Sequence, residues 1–263
     1  MTHYGRHKDV VAKKNLGQNF LTDKHWRQRI GEACSPTPDK HFIEVGPGTG
    51  CLTEELLQAG ASVLALEKDE RCLPVLHDLS QTYDNRLEMI AGDAMVYLKQ
   101  LPADHKPCPL VGNLPYNIGT QIVIDALKQH GAFTQMVFLL QKEVVGRICA
   151  QPTDKDWGRL AIFCQLLADC YKLFDVPAGA FTPPPKITSS MVQLIPLAKP
   201  RYDVDIAKLE RLTQRAFSQR RKMLRASLKG MLTESAIETA GIAPNRRPET
   251  LSLEEFVTLA NLL

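Results

Sequence analysis

Residues 112–117 read Gly-Asn-Leu-Pro-Tyr-Asn, and their types fit one piece of chemistry. An amino nitrogen on adenine is a poor nucleophile because its lone pair is delocalised into the ring. The Asn113 side-chain oxygen and the Leu114 carbonyl are both acceptors. If they take the two amine hydrogens, the nitrogen can pyramidalise and aim its lone pair at an electrophilic methyl group. Pro115 fixes the backbone and has no N–H to compete. Tyr116 supplies a face for an extruded base, a stacking contact worth roughly 1–3 kcal/mol. No general base is required, because the product is more acidic than the reactant and sheds its proton late.

A source of that methyl is suggested by Phe42-Ile-Glu-Val-Gly46-Pro-Gly48-Thr-Gly50. It reads as a strand running into a glycine-rich turn and then a helix. Glycine lets backbone approach a ligand, and a helix N-terminus offers free N–H groups. A P-loop requires Gly-Lys-Ser/Thr at its end, and Gly50 is followed by Cys51. A dinucleotide fingerprint requires G-x-G-x-x-G, whereas the spacing here is G-x-G-x-G, the pattern of S-adenosylmethionine (SAM) methyltransferases. Glu67 lies 21 residues after Gly46 at the end of the second predicted strand, where a carboxylate can accept both ribose hydroxyl protons. That position suits a dehydrogenase equally well. Asp93, closing the third strand in Gly92-Asp-Ala, favours the methyltransferase because it can accept the exocyclic amine of the cofactor adenine.

These residues need a scaffold, and apolar periodicity from about residue 40 to 195 supplies an alternating β-α pattern. The expected strands are Phe42–Val45, Ser62–Leu66, Leu87–Ala91, Leu110–Gly112 and Gln135–Leu140. Helical stretches Thr53–Gln58, Glu70–Leu79 and Thr120–Gln129 fall between them, the first and last stopped by Gly60 and Gly131. Single strands separated by helices imply a doubly wound, mostly parallel sheet. Cys170–Val176 and Ser189–Ile195 flank the rigid Phe181-Thr-Pro-Pro-Pro-Lys186 and predict an antiparallel hairpin at the sheet edge. After a linker at Pro196–Arg201 the pattern is helical only. Ile206, Leu209, Leu212 and Phe217 share one face, Leu224 and Leu228 continue it to Gly230, and Ser252-Leu-Glu-Glu255 is a capping box. The expected organisation is an α/β Rossmann-like methyltransferase domain over 1–198 and a small all-helical domain over 199–263.

Composition narrows the classes. The 263 residues are 44% hydrophobic and 23% charged, ordinary for a soluble globular chain. No apolar run approaches the roughly 20 residues of a spanning helix, and the first eighteen residues carry no apolar signal-peptide core. The chain is therefore expected to be cytoplasmic, without a membrane partner. Its seven cysteines (34, 51, 72, 108, 149, 164, 170) include no C-x-x-C and its histidines are scattered, so reduced thiols and no structural zinc are expected. The net charge of +3 is unevenly spread. Residues 1–29 hold seven Lys/Arg against two Asp/Glu, and residues 199–230 hold ten against three, while 30–198 hold thirteen against nineteen. Two basic flanks on an acidic body suit a polyanion.

The sequence resembles the KsgA-type ribosomal RNA adenine dimethyltransferases of the small subunit over nearly its whole length. Asn15-Leu-Gly-Gln-Asn-Phe-Leu21, Glu44-Val-Gly-Pro-Gly48, Gly92-Asp-Ala, Gly112-Asn-Leu-Pro-Tyr-Asn117, Leu140-Gln-Lys-Glu143 and Phe181-Thr-Pro-Pro-Pro-Lys186 look like that family's motifs in its order, and Gln219-Arg-Arg-Lys222 looks like its C-terminal motif. The resemblance implies SAM-dependent transfer of two methyls onto each of two adjacent adenosines in the 3′-terminal hairpin of 16S rRNA, on an immature small subunit. Position by position it implies that Asn19 and Leu21 close over SAM, and that Gly46 and Gly48 lie along it, with Gly50 in a variable part of the loop. It puts Glu67 at the ribose, Asp93 at the adenine and Asn113 between SAM and target. Tyr116 and Phe181 would be the two aromatic walls of the target pocket, and Phe20 serves equally well as core.

Arg220, Arg221, Lys222 and Arg225 are expected on one helix, gripping RNA through its phosphates, with Lys13, Lys14 and Arg29 doing the same from the N-terminal flank. Three rivals remain open: a large-subunit rRNA adenine methyltransferase, a DNA adenine methyltransferase, and a non-catalytic assembly or nucleic-acid-binding factor. The basic C-terminal segment and the 181–186 motif favour the small-subunit enzyme. A monomer is expected, because no long exposed apolar seam is visible.

Overall fold

A computed structural model of the chain describes residues 10, 12–13 and 18–263. Lys14 and the first three residues of the Asn15–Leu21 motif lie outside the described residues. In chain order the first elements are β1 (Phe20–Leu21), α1 (Lys24–Ala33), β2 (His41–Val45), α2 (Cys51–Gln58) and β3 (Ser62–Glu67). They are followed by α3 (Leu73–Thr82), β4 (Leu87–Ala91), α4 (Ala94–Lys99), β5 (Cys108–Asn113), α5 (Gly119–Leu127) and β6 (Phe133–Gln141). Next come α6 (Lys142–Cys149), α7 (Arg159–Leu167), β7 (Ala168–Val176), β8 (Phe181–Thr182) and β9 (Ser189–Pro196). Four helices end the chain: α8 (Ile206–Ser218), α9 (Leu224–Ser227), α10 (Glu234–Thr239) and α11 (Leu253–Ala260).

Seven strands form one sheet in the order β4-β3-β2-β5-β6-β9-β7. The pairs β4–β3, β3–β2, β2–β5 and β5–β6 are parallel. Parallel strands covered on both faces read as continuous apolar runs, and Phe42, Ile43, Val63, Leu110, Val111 and Val137 are all buried. β9 runs antiparallel to β6, with β7 beside it at the edge. The chain winds outward from β2 through β3 to β4, then returns to the other side of β2 at β5. Ligands of such sheets bind at the carboxyl ends of strands where the order reverses, here between β2 and β5. A Cβ on Gly112 would lie 2.6 Å from the Val45 carbonyl oxygen, so only glycine lets β5 come this close to β2 there.

The chain divides into two compact units: the part up to Val145 with Tyr171–Pro196, and Gly146–Cys170 with Leu197–Leu263. The second division falls two residues before the boundary expected from sequence. Residues 146–170, expected with the sheet, group with the C-terminal helices. The reason is packing within that unit. Trp157 is buried and its indole N–H donates to the Leu251 carbonyl at 3.0 Å, while α7 packs on α8 and α11. Phe217 stacks against Phe256 at 5.5 Å between ring centres, and Ser252 and Glu255 form the expected capping box of α11. All seven cysteines are free thiols.

Candidate active site

At the switch point the ends of β2, β3 and β5 and the loop after β4 surround a cavity of about 230 Å³. Asn19, Leu21, Gly46, Gly48, Glu67, Asp93, Asn113, Leu114, Pro115 and Tyr116 all line it, so ten of the expected cofactor and target residues converge on one space. Gly46, Gly48 and Gly50 have φ of 65°, 57° and 82°, the left-handed region that favours glycine. A Cβ built on Gly46 or Gly92 meets nothing within 4 Å, while one on Gly48 would press on the Phe20 ring at 3.0 Å. The loop therefore leaves open space at Gly46 and is roofed by Phe20 at Gly48.

Glu67 is held rigidly at the end of β3. Its carboxylate accepts the Gly48 N–H at 2.8 Å and the Asp69 N–H at 2.7 Å. Burial raises its pKa, against the pull of these two backbone donors. Each oxygen keeps a second lone pair, which is what a pair of ribose hydroxyls requires. Asp93 caps α4 by accepting the Met95 N–H at 2.9 Å, and its other oxygen pairs with the exposed Lys68 ammonium at 2.9 Å. Lys68 and the Met95 N–H hold its carboxyl below the usual range. An adenine amine would use the remaining lone pairs.

Residues 18–21 cross the cavity as a strap, each fastened differently. Gln18 donates from its side-chain amide to Asp69 at 2.9 Å. The Arg71 guanidinium grips the same Asp69 with Nε at 2.9 Å and Nη2 at 2.6 Å, holding that buried carboxyl well below the ordinary range. The Asn19 carbonyl accepts the Asn113 side-chain N–H at 3.2 Å. Phe20 covers Gly48, and β1 pairs antiparallel with β8 through Phe20↔Thr182 and Leu21↔Phe181. The Asn19 contact decides an orientation. A carbonyl beside an amide demands its NH₂, so the Asn113 Oδ1 points away from the strap as an available acceptor.

Phe181 departs from expectation. It is 3% exposed, belongs to the apolar cluster with Leu21, Ile30 and Met191, and does not line the cavity. It pairs with Leu21 across β1 and β8 and packs in the same apolar cluster, so Phe181 helps to anchor the strap. Tyr116 does line the cavity, and its hydroxyl shares a 2.6 Å hydrogen bond with Ser189. Residues not singled out for the site from sequence also sit here. Glu44 is buried in the cavity lining, receives the Thr53 hydroxyl at 2.6 Å, and is pushed by burial up to about 8. Its place directly before the glycine loop was the available signal. Gln18 carried one too, inside the Asn15–Leu21 motif; Asp69 and Ser189 carried none.

The basic C-terminal residues divide. Arg221, Lys222 and Arg225 are exposed. Arg220 is not available as a phosphate ligand: its Nε pairs with Glu249 at 2.8 Å, and its other nitrogens donate to the carbonyls of Lys155 (2.5 Å) and Asp154 (3.0 Å). The expected single helix is also broken. Residues 219–223 turn between α8 and α9, because the Leu224 and Arg225 N–H groups donate to the Arg246 and Pro244 carbonyls instead of continuing α8. On the N-terminal side Lys13 is exposed, and the exposed Arg29 guanidinium lies 4.3 Å from the Phe174 ring centre and 5.3 Å from that of Trp26. Among the described residues no cluster of His, Cys, Asp or Glu could hold a metal ion, and no helix is long and apolar enough to cross a membrane.

The sheet order and a glycine-lined cavity at its switch point define a Rossmann-like methyltransferase. The fold is similar to the crystal structure of a dimethyladenosine transferase from Plasmodium falciparum, with a TM-score of 0.76 and 24% identity over 91% of this chain and 95% of that one. It is also similar to that of the 23S rRNA methyltransferase ErmE, with a TM-score of 0.72 and 24% identity over 92% and 98%. At such identity the likeness speaks for the fold alone. Residues 10–263 match the family model described as ribosomal RNA adenine dimethylase. Ribosomal RNA small subunit methyltransferase A of Agrobacterium fabrum is 48% identical over 257 residues, 96% of this chain and 93% of the relative. The protein of the same name from Allorhizobium ampelinum is 47% identical over 256 residues, again 96% and 93%. The chain belongs to the ribosomal RNA adenine dimethylase family, and its activity is SAM-dependent dimethylation of rRNA adenine.

Proposed function

We propose that this protein dimethylates N6 of two adjacent adenosines in the 3′-terminal hairpin of 16S rRNA, as a cytoplasmic monomer acting on an immature small subunit, with a part in ribosome biogenesis. The observation that carries the chemistry is the Asn113 amide, turned by the Asn19 carbonyl so that Oδ1 is the free acceptor. The choice of subunit is supported by the small-subunit names of relatives nearly half identical over almost the full chain.

SAM fits the site as built: Gly46 and Gly92 leave open space where a side chain would intrude, and two acids stand at the ends of β3 and β4. Gly46 and Gly48 would border it, Glu67 would hold its ribose and Asp93 its adenine amine, with Asn19 and Leu21 above. When bound it supplies an electrophilic methyl on a sulfonium. Asn113 Oδ1 and the Leu114 carbonyl take the amine hydrogens of the target, turning its lone pair out of conjugation. Tyr116 stacks on the base, and Pro115 keeps the turn rigid. The chain's own groups meet each requirement, so no metal has a part. Arg221, Lys222 and Arg225 grip rRNA phosphates, with Lys13 and Arg29 assisting.

The test is methyl transfer from labelled SAM to three substrates: small subunits lacking the modification, mature large-subunit rRNA, and DNA. N6,N6-dimethyladenosine from the small subunit alone is expected when labelled nucleosides are identified by mass. Label in the large subunit or in DNA would overturn the substrate assignment. No label anywhere with SAM binding intact would favour a non-catalytic assembly factor.

A further inference from the structure

Tyr116 lines the cavity, yet its hydroxyl is bonded to a residue that does not. Ser189 Oγ lies 2.6 Å from that hydroxyl, is fully buried and does not line the cavity. Ser189 cannot drift. It opens β9 opposite Gln141 of β6, and next to it the Thr188 carbonyl accepts the Lys142 N–H at 3.0 Å. On its other side Ser190 donates its hydroxyl to Asp175 at 2.5 Å, and Asp175 also holds the Lys142 and Lys172 ammoniums at 2.7 Å each.

The register ties this anchor to the amide that meets the target. Leu139 of β6 is opposite Asn113 on one side and opposite Met191 on the other, and its carbonyl accepts the Leu114 N–H at 3.1 Å. One strand therefore spaces both Asn113 and the Ser189 end of β9. Tyr116 bridges the gap, fixed at its backbone by the loop after β5 and at its hydroxyl by β9. A phenol engaged in this way presents a ring face of set inclination, at no ordering cost when a base arrives.

We infer that Ser189 is a positioning residue: through the Tyr116 hydroxyl it sets the angle at which the target base stacks, and so aligns the amine with Asn113. The inference rests on the reading of Tyr116 as the stacking face. Burial raises the Tyr116 phenol and the Ser189 hydrogen bond opposes that rise.

The experiment compares Ser189→Ala, Tyr116→Phe, their double variant and Tyr116→Ala, on immature small subunits. Ser189→Ala and Tyr116→Phe remove the same bond from opposite ends, so if the buried serine variant fails to fold the phenylalanine variant still reports. Each is expected to lower kcat about tenfold, by misaligning the reacting pair. SAM affinity by calorimetry stays unchanged, and the double variant is no worse than either single. Ser189→Cys, close in size with a weaker hydrogen-bonding group, falls between. In a spectroscopic pH titration the Tyr116 phenol moves to higher pH in Ser189→Ala, which reports loss of the bond itself; the fall in kcat at unchanged SAM affinity is what a merely structural serine would not cause. Full kcat in Ser189→Ala, or losses that multiply in the double variant, would overturn the inference. Tyr116→Ala separates the two failures. If it abolishes transfer while Ser189→Ala is neutral, only the positioning role falls; if it transfers normally, the stacking reading falls as well.

Discussion

The strap at residues 18–21 and the basic turn at 219–222 both stood out in the sequence as ligand-gripping motifs, and the structure treats them in opposite ways. The strap spends its polar groups inward: Gln18 on Asp69, the Asn19 carbonyl on Asn113, and β1 on β8. The basic turn spends one residue inward, Arg220, and leaves Arg221 and Lys222 in solvent. A buried motif shows its work in geometry, because every polar group must find a partner. An exposed one shows only its charge. Substitutions in the first should register in stability and cofactor affinity, and those in the second in RNA affinity and its salt dependence.

The largest effect is expected beneath the strap, at Glu44. Burial lifts its carboxyl from the usual range to about 8. The native state then holds a proton that the unfolded chain has released, so stability is full below the ordinary carboxylate pKa and is lost as pH rises towards about 8. Denaturant titrations across that window should show the wild type losing up to about 1 kcal/mol per pH unit relative to Glu44→Gln. Parallel pH profiles for the two would contradict a protonated Glu44.

Next is Gly48→Ala. It adds a Cβ 3.0 Å from the Phe20 ring at a φ of 57°, which lifts the strap and strains the loop. Left-handed strain costs about 1–2 kcal/mol of stability, and with Phe20 displaced from over the loop SAM affinity by calorimetry should fall roughly tenfold. For the exposed turn, Arg221→Ala with Lys222→Ala should weaken binding to the small subunit about tenfold and reduce the salt slope by about 2, with SAM affinity intact. Equal loss of SAM binding would indicate misfolding instead. The smallest effect is Arg220→Ala. It should cost about 1 kcal/mol of stability by thermal melting, since its ion pair is partly solvated, and leave RNA affinity nearly unchanged.

Much of the site could be read directly from the chain. Gly112–Asn117 was legible because a strand ending in Asn-Leu-Pro-Tyr has few other uses, and the glycine loop because three left-handed positions in five residues leave no substitute. The parallel strands were legible from their apolar runs. The strap's anchorage was not: β1 and β8 are two residues each, 160 apart in sequence, and neither carries a period. That Phe181 packs with the core cluster was therefore hidden. The α8–α9 break was hidden because apolar spacing continues through it, and it is made by carbonyls of Pro244 and Arg246 far along the chain. Residues 146–170 carry Pro152 and Gly158, which mark a turn but do not show that the segment folds with the C-terminal helices. α1 was missed because its ten residues, Lys24–Ala33, bury only Arg27, Ile30 and Gly31, too narrow an apolar face to give a period.

Everything proposed for the reaction turns on Asn113, which, oriented by the Asn19 carbonyl, accepts from the target amine and so makes it nucleophilic. The direct measurement is Asn113→Ala assayed for methyl transfer to immature small subunits, with SAM affinity measured by calorimetry on the same preparation. Transfer is expected to fall about a thousandfold, the scale of losing one preorganised polar contact at the reacting atoms, while SAM affinity changes only a few-fold. Transfer within tenfold of wild type, with the variant folded and SAM bound, would contradict it.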